Sequence, residues 1–368
     1  MKTVVIHAGL PKTGSTALQV FLARNHAALR AQSFDYFRLG EFNEGNAGKI
    51  SSGNGFLIAR SLLPAGDPSL TENPASHLAA LTRAIAASPC ETGILSSEYF
   101  AHADPARLLD WAESLRAAGH RVRLTYFIRD QVQALSSMYV QYVKRSHCRE
   151  TPEAYVARTY RDIPYLSHAS FYQTQCGVFG AENIICETYE AALAAPGGIG
   201  ACFLGMIGAD PSAMPCETET CNTGLNPAEL AIMRELNKFR PHTRISDQLM
   251  ENARQAGHAQ AGETYAFLPP DLCREIETYF AAGNAELARV CFGRETLFPA
   301  GRLINVPVAI GDVSQTDIIN VLGGLLVRYD ERLAALERER ATTRAAPFKR
   351  LIRKLAPAAL TAILSSRH

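Results

Sequence analysis

The residues best equipped for chemistry in this sequence fall in one short run, GLPKTGST, Gly9 to Thr16, directly after the β-branched segment Lys2 to His7. It opens a stretch with apolar residues at helical spacing (Leu18, Phe21, Leu22, Leu29), so strand, loop and helix follow in that order. The free N–H groups at the start of such a helix attract anions. Hydroxyls from Thr13, Ser15 and Thr16 and the cation of Lys12 add to them, which makes a phosphate-like group the expected occupant of Pro11 to Thr16. A nucleoside triphosphatase loop reads GxxxxGK[ST], with lysine directly after the second glycine. Here Lys12 stands two positions before Gly14, so the magnesium and γ-phosphate geometry of an ATPase is not specified. A lysine in mid-loop instead suits a bridging oxygen that gains negative charge as a group departs.

A second constellation lies in RLTYFIRDQVQALSSMYVQYVK. The strand His120 to Ile128 runs into Arg129, and Ser137 follows about two turns into a helix expected over Val132 to Lys144. Gln133, Ser137, Gln141 and Lys144 share one face of that helix, opposite Val132, Leu135, Tyr139 and Val143. An arginine fork with a helical serine can hold a second phosphate apart from the first. Arg129 beside Asp130 also reads as a salt-bridged strand end, and the pair alone leaves both readings open.

These groups must be positioned by a scaffold. Strands are expected at Lys2 to His7, Thr92 to Ser97, His120 to Ile128 and Asn183 to Thr188. Helices are expected at 75–88, 104–118 and Tyr165 to Phe179. Alternating strands and helices predict an α/β fold, a three-layer parallel sheet whose ligands bind at the carboxyl ends of the strands. Residues 40–74, rich in Gly, Asn, Ser and Pro, read as an irregular insertion. From about residue 197 helices dominate, at Asn226 to Asn237, Pro270 to Phe280 and Gln315 to Thr343. This gives a main domain over 1–300 and a helical C-terminal extension over 301–368.

Taken together, GLPKTGSTALQ and the Arg-x7-Ser element resemble the sulfotransferases that use 3′-phosphoadenosine 5′-phosphosulfate (PAPS). The resemblance implies a P-loop-type sheet. It places Lys12, Thr13, Gly14, Ser15 and Thr16 on the 5′-phosphosulfate and Arg129 and Ser137 on the 3′-phosphate. It extends to FGAENIICETYEAAL, where Tyr189 would lie near the adenine, and to NAELARVCFGRETLF, Asn284 to Phe298, which resembles the closing segment of bacterial members. The Gly-rich element with its RKG motif, found near the C-terminus of cytosolic members, is not recognisable. By the same likeness Glu98, at the end of ILSSEYF, occupies the place of the histidine base and Ser96 that of a lysine. Catalysis would then rest on Lys12 as leaving-group cation and Glu98 as general base, with His102 as the alternative base and no metal. His7, ahead of the loop, reads as a buried supporting residue.

With 37 Lys+Arg against 36 Asp+Glu, no global field exists to capture nucleic acid. The apolar fraction of 47% excludes a disordered chain. Nine cysteines without a CxxC pair read as reduced thiols. With no leader pattern and no long apolar run, a cytoplasmic location is expected. The segment PFKRLIRKLAPAALTAIL, 347–364, is basic and amphipathic and suits peripheral contact with an anionic membrane face. The expected acceptor is a small molecule or glycan hydroxyl, and oligomeric state is not readable. A P-loop kinase-like phosphotransferase and a non-catalytic nucleotide- or glycan-binding module are the competing readings.

Overall fold

The computed structural model describes residues 1–49, 51–71, 73–215, 225–239, 247–249, 265–298, 304–305 and 313–365. The side chains of 239, 265–266, 304–305 and 341–365 are outside the description. Five parallel strands form the central sheet: β1 (Thr3–Ala8), β2 (Phe34–Tyr36), β3 (Thr92–Ser97), β4 (Arg121–Ile128) and β5 (Ile184–Thr188), in the order β2-β3-β1-β4-β5. Val4 to Ala8 and Leu124 to Ile128 are buried without a break, as expected of strands covered on both faces.

One face packs against the helices Pro74–Ala87, Pro105–Ala117 and His168–Phe179, through residues such as Leu81, Trp111 and Phe179. The other packs against Ser15–Arg24 and Gly198–Ile207, through Leu18, Leu22, Phe203 and Leu204. The three-layer α/β architecture expected from the sequence is thus present. A further apolar cluster joins Gln131–Arg145, Pro152–Thr159, Pro227–Phe239 and Pro270–Phe292, and Leu325 of the last helix, Gln315–Ser365, reaches it. The helical C-terminal half thus packs on two helices of the main domain.

Strand order decides where a ligand can sit. The chain leaves β1 toward β2 on one side and leaves β4 toward β5 on the other. The carboxyl ends of β1 and β4 therefore flank a crevice at a topological switch point, and that is where the loop of Lys12 and the residue Arg129 emerge.

Helix starts follow local chemistry. Asp104, Thr151 and Asn73 cap helices whose next residue is proline, and Asp130 caps Gln131–Arg145 by accepting from Gln133 N–H at 2.9 Å. Three elements differ from expectation. The edge strand β2 was not anticipated. The insertion 40–74 contains two short helices, Phe42–Asn46 and Phe56–Arg60, and a buried Asn54. Asn54 donates to the Ile94 carbonyl at 2.9 Å and accepts from Ser96 N–H at 2.8 Å, so it pairs with β3 where β2 has ended. The helices expected to end at Phe280 and Thr343 run on to Phe292 and Ser365.

A short parallel pair, β6 (Tyr265–Ala266) and β7 (Ile304–Asn305), lies apart from the main sheet. Among the described residues no helix is long and apolar enough to cross a membrane. The backbone of 347–364 is helical, and its basic and apolar side chains lie outside the described residues. Cys90, Cys148, Cys176, Cys186, Cys202, Cys273 and Cys291 are free thiols; Cys216 and Cys221 lie outside the described residues.

Candidate active site

The loop after β1 is closed on itself before it meets the helix. Gly9 N–H donates to Ser97 O on β3 at 3.1 Å, and the Thr13 hydroxyl donates to Leu10 O at 2.6 Å. Thr13 is buried, so in this structure its hydroxyl serves the turn. Lys12 and Gly14 both have positive φ, 68° and 74°. At Gly14 a Cβ would lie 2.9 Å from Tyr189 Cε2 and 3.0 Å from Ile199 Cδ1, so the position demands glycine on two counts.

A non-glycine left-handed residue such as Lys12 persists only where its surroundings fix it, and here Arg129 Nη1 donates to the Lys12 carbonyl at 2.8 Å. Gly14 caps Ser15–Arg24 without a side-chain bond. The first amide bonded within that turn is Leu18, to Gly14 O at 3.1 Å. The amides of Ser15, Thr16 and Ala17 are thus left for an incoming anion. Pro11, Lys12 and Thr16 are half-buried at the rim, and the Ser15 hydroxyl is buried with no protein partner.

Arg129 forms the opposite wall. Its guanidinium lies 5.1 Å from the centroid of the Tyr189 ring, and its Nε is buried without a partner. Its carbonyl accepts from His168 Nε2 at 2.9 Å. Burial pulls the Arg129 pKa down while Tyr189, Glu190 and Asp130 push it back up. Tyr189 is placed by β5, which ends at Thr188. The Thr188 hydroxyl caps Tyr189–Ala194 by accepting from Ala191 N–H at 3.3 Å.

In Gln131–Arg145, Val132, Leu135, Tyr139 and Val143 are wholly buried, while Gln133, Ser137 and Lys144 are half-buried and Gln141 is exposed. The two-faced helix read from the sequence is present. The polar face meets the loop directly, because Lys12 Nζ donates to Gln141 Oε1 at 2.7 Å. Ser137 is one turn away on that face.

Glu98 begins a short 3-10 turn at the carboxyl end of β3, capped by Ser97 through Tyr99 N–H at 3.2 Å. Its stem leans on the loop, since a Cβ at Gly9 would lie 3.2 Å from Glu98 Cγ. The carboxylate keeps surface exposure, but the protein crowded around it raises its pKa, and Lys12 pulls the other way. Lys12 shows the converse: burial lowers its pKa, Glu98 raises it and Arg129 lowers it. Each therefore sits in the other's field, as a base and a leaving-group cation on either side of one transfer point would.

His102 is exposed at the end of the turn, edge-on to Tyr165 at 5.5 Å. Its pKa is lowered by burial and raised by Asp67 of the insertion. His7 is fully buried, with Nδ1 2.8 Å from Ser96 Oγ, and is held at about 3 by burial. It stays neutral near pH 7 and supports the strands from beneath.

The structure thus brings Lys12, Gly14, Ser15, Glu98, Arg129 and Tyr189 to one crevice, with Ser137 on the adjoining helix face. Sequence reasoning missed two contributions: Gln141 as the partner of Lys12, and Arg129 as the clamp on the loop's backbone. Both contacts join residues more than a hundred positions apart and leave no local signal. Lys144, one turn beyond Gln141, is drawn down to about 8 by burial and by Lys12. Among the described residues no cluster of His, Cys, Asp and Glu is arranged to hold a metal ion.

No family model matches the chain, and no curated protein sequence matches it. Among solved structures it is similar to a sulfotransferase from Alicyclobacillus acidocaldarius, at 13% identity over 79% of this chain and 96% of that one, with a TM-score of 0.45. It is also similar to retinol dehydratase in complex with androsterone and the inactive cofactor PAP, at 16% identity over 77% and 81% of the two chains, with a TM-score of 0.34. A sulfotransferase domain from the curacin biosynthetic pathway is 12% identical over 76% and 98%, with a TM-score of 0.35. At these scores the likeness is one of outline, and what this chain does follows from its own residues.

Proposed function

We propose that this chain transfers a sulfuryl group from PAPS to an acceptor hydroxyl. The observation that carries the reading is Arg129. One guanidinium fixes the anion loop through the Lys12 carbonyl, stacks on Tyr189 and keeps a buried Nε that has no hydrogen-bond partner. A buried donor without a partner is costly. A phosphate beside it, some distance from the helix N-terminus, would satisfy it.

In this reading the amides of Ser15 to Ala17, with the Ser15 and Thr16 hydroxyls, hold the 5′-phosphosulfate. Arg129 and Ser137 take the 3′-phosphate, and Tyr189 borders the nucleotide. Glu98 removes the acceptor's proton as its oxygen attacks sulfur in line. The S–O bond to the phosphate breaks, and the Lys12 ammonium stabilises the charge left on that oxygen. Sulfated acceptor and adenosine 3′,5′-bisphosphate (PAP) leave, and no metal is required by these steps.

A carbohydrate or lipid-linked glycan suits the acceptor side. The polar face of Gln133, Gln141 and Lys144 offers hydrogen bonds, and the ring pairs Phe56–Tyr99 and His102–Tyr165 flank Glu98. We place the reaction in the cytoplasm, with the 347–364 segment as a contact to the membrane face.

PAP release from PAPS across a glycan panel tests the proposal. Lys12→Ala and Glu98→Gln should each abolish transfer, with Glu98→Gln still binding PAP. Full activity in Glu98→Gln would remove that residue from the mechanism.

A further inference from the structure

The last helix, Gln315–Ser365, spans 51 residues, and its described side chains meet the body on one side only. Val321 and Leu325 pack into the helical layer. A neighbouring stripe faces solvent: Ile319 is 69% exposed, Leu322 39%, Leu326 70%, Tyr329 41%, Leu333 59% and Leu336 50%, with Val327, 59% exposed, beside it. Their spacing is three, four, three, four, three, the a and d positions of three successive heptads. That strict 3.5-residue repeat is the seam of a left-handed coiled coil and is narrower than the stripe of a helix lying on a globular core. The helix also contains Gly323 and Gly324, each of which weakens a helix interior by about 1 kcal/mol. A long helix with such a sequence gains most of its stability from a partner.

Charge selects the partner. With Ile319 at a, Arg332 falls at g and Glu337 at the e position of the next heptad, the two sites that meet across a parallel, in-register pair of identical helices. A second copy of the same helix therefore covers the apolar seam and sets Arg332 beside Glu337 across it.

We propose that the chain forms a homodimer through a parallel coiled coil, in which Ile319, Leu322, Leu326, Tyr329, Leu333 and Leu336 interlock with the same residues of the second copy. The seam is independent of the nucleotide crevice. Parallel pairing also sets the two 347–364 segments side by side.

Sedimentation velocity of the full chain at about 2 to 50 μM tests this. The wild type should sediment with twice the 40.1 kDa chain mass at the upper end of that range. Leu326→Glu with Leu333→Glu should give monomer and leave the melting temperature of the body unchanged, because both side chains are exposed. For alignment, Arg332→Glu and Glu337→Arg should each weaken the dimer about tenfold and their combination restore it. Leu336→Cys should cross-link to its counterpart in the second copy, seen by peptide mass as a disulfide joining the two copies at that position. A wild type that stays monomeric at 50 μM, or a dimer indifferent to the double glutamate variant, overturns the proposal. A dimer that fails both the charge swap and the cross-link overturns its parallel alignment.

Discussion

Replacing Arg129 by methionine, which keeps an apolar stem under Tyr189, separates the clamp that this residue makes in the structure from the phosphate contact proposed for it. The substitution removes the bond to the Lys12 carbonyl at 2.8 Å, worth about 1 kcal/mol net. It also removes the stacking on Tyr189 at 5.1 Å, worth about 0.5 kcal/mol. These losses loosen the loop for every ligand that uses it and should weaken AMP binding about tenfold. A ligand with a 3′-phosphate loses in addition a charge-assisted contact worth about 3 kcal/mol. PAP should therefore weaken by a further factor of about 100, to about 1000-fold in all. Isothermal calorimetry with both ligands on wild type and Arg129→Met reads the two factors separately. Equal losses for AMP and PAP would show that Arg129 only clamps the loop, and the second phosphate site would be refuted.

Other outcomes follow from the same geometry. Because the Glu98 pKa is raised and the Lys12 pKa lowered, kcat/KM should rise above the ordinary carboxylate range and fall below the ordinary lysine range. Lys12→Arg should move only the falling limb. His7 has a folded-state pKa of about 3 against 6.5 unfolded. The unfolded chain therefore binds its proton first as pH falls, and this contribution to stability, complete above pH 6.5, is lost progressively toward pH 3. At pH 5 the loss is about 2 kcal/mol, measurable as a drop in urea midpoint that His7→Gln does not share. In liposome co-sedimentation with anionic lipid, the full chain should partition to vesicles more than a chain ending at Thr343. Identical partitioning would end the membrane assignment.

Much of this architecture could be read from the chain. β1 and β4 are short apolar runs because both their faces are covered, and helix starts such as Asp104-Pro105 and Thr151-Pro152 carry their own caps. The positions of the loop and of Arg129, each just past the carboxyl end of a strand, were legible because the apolar runs of β1 and β4 stop directly before them. β2 was not legible: it is three residues long and contains Asp35, whose buried carboxylate is satisfied only in the fold, by Arg30, His26 and Ser88. The order within 40–74 rests on Asn54 reaching β3 about forty positions away. The bonds of Lys12 to Gln141 and Arg129 likewise arise from strand order, which no local pattern encodes.

The central claim is that the crevice between β1 and β4 holds an adenosine with anionic groups on both sides of its ribose. Calorimetry of the wild-type chain with PAP, AMP and ATP·Mg tests it most directly. PAP should bind at least 100-fold more tightly than AMP, and magnesium should not rescue ATP. Equal affinity for PAP and AMP, or a magnesium-dependent preference for ATP, would contradict the account.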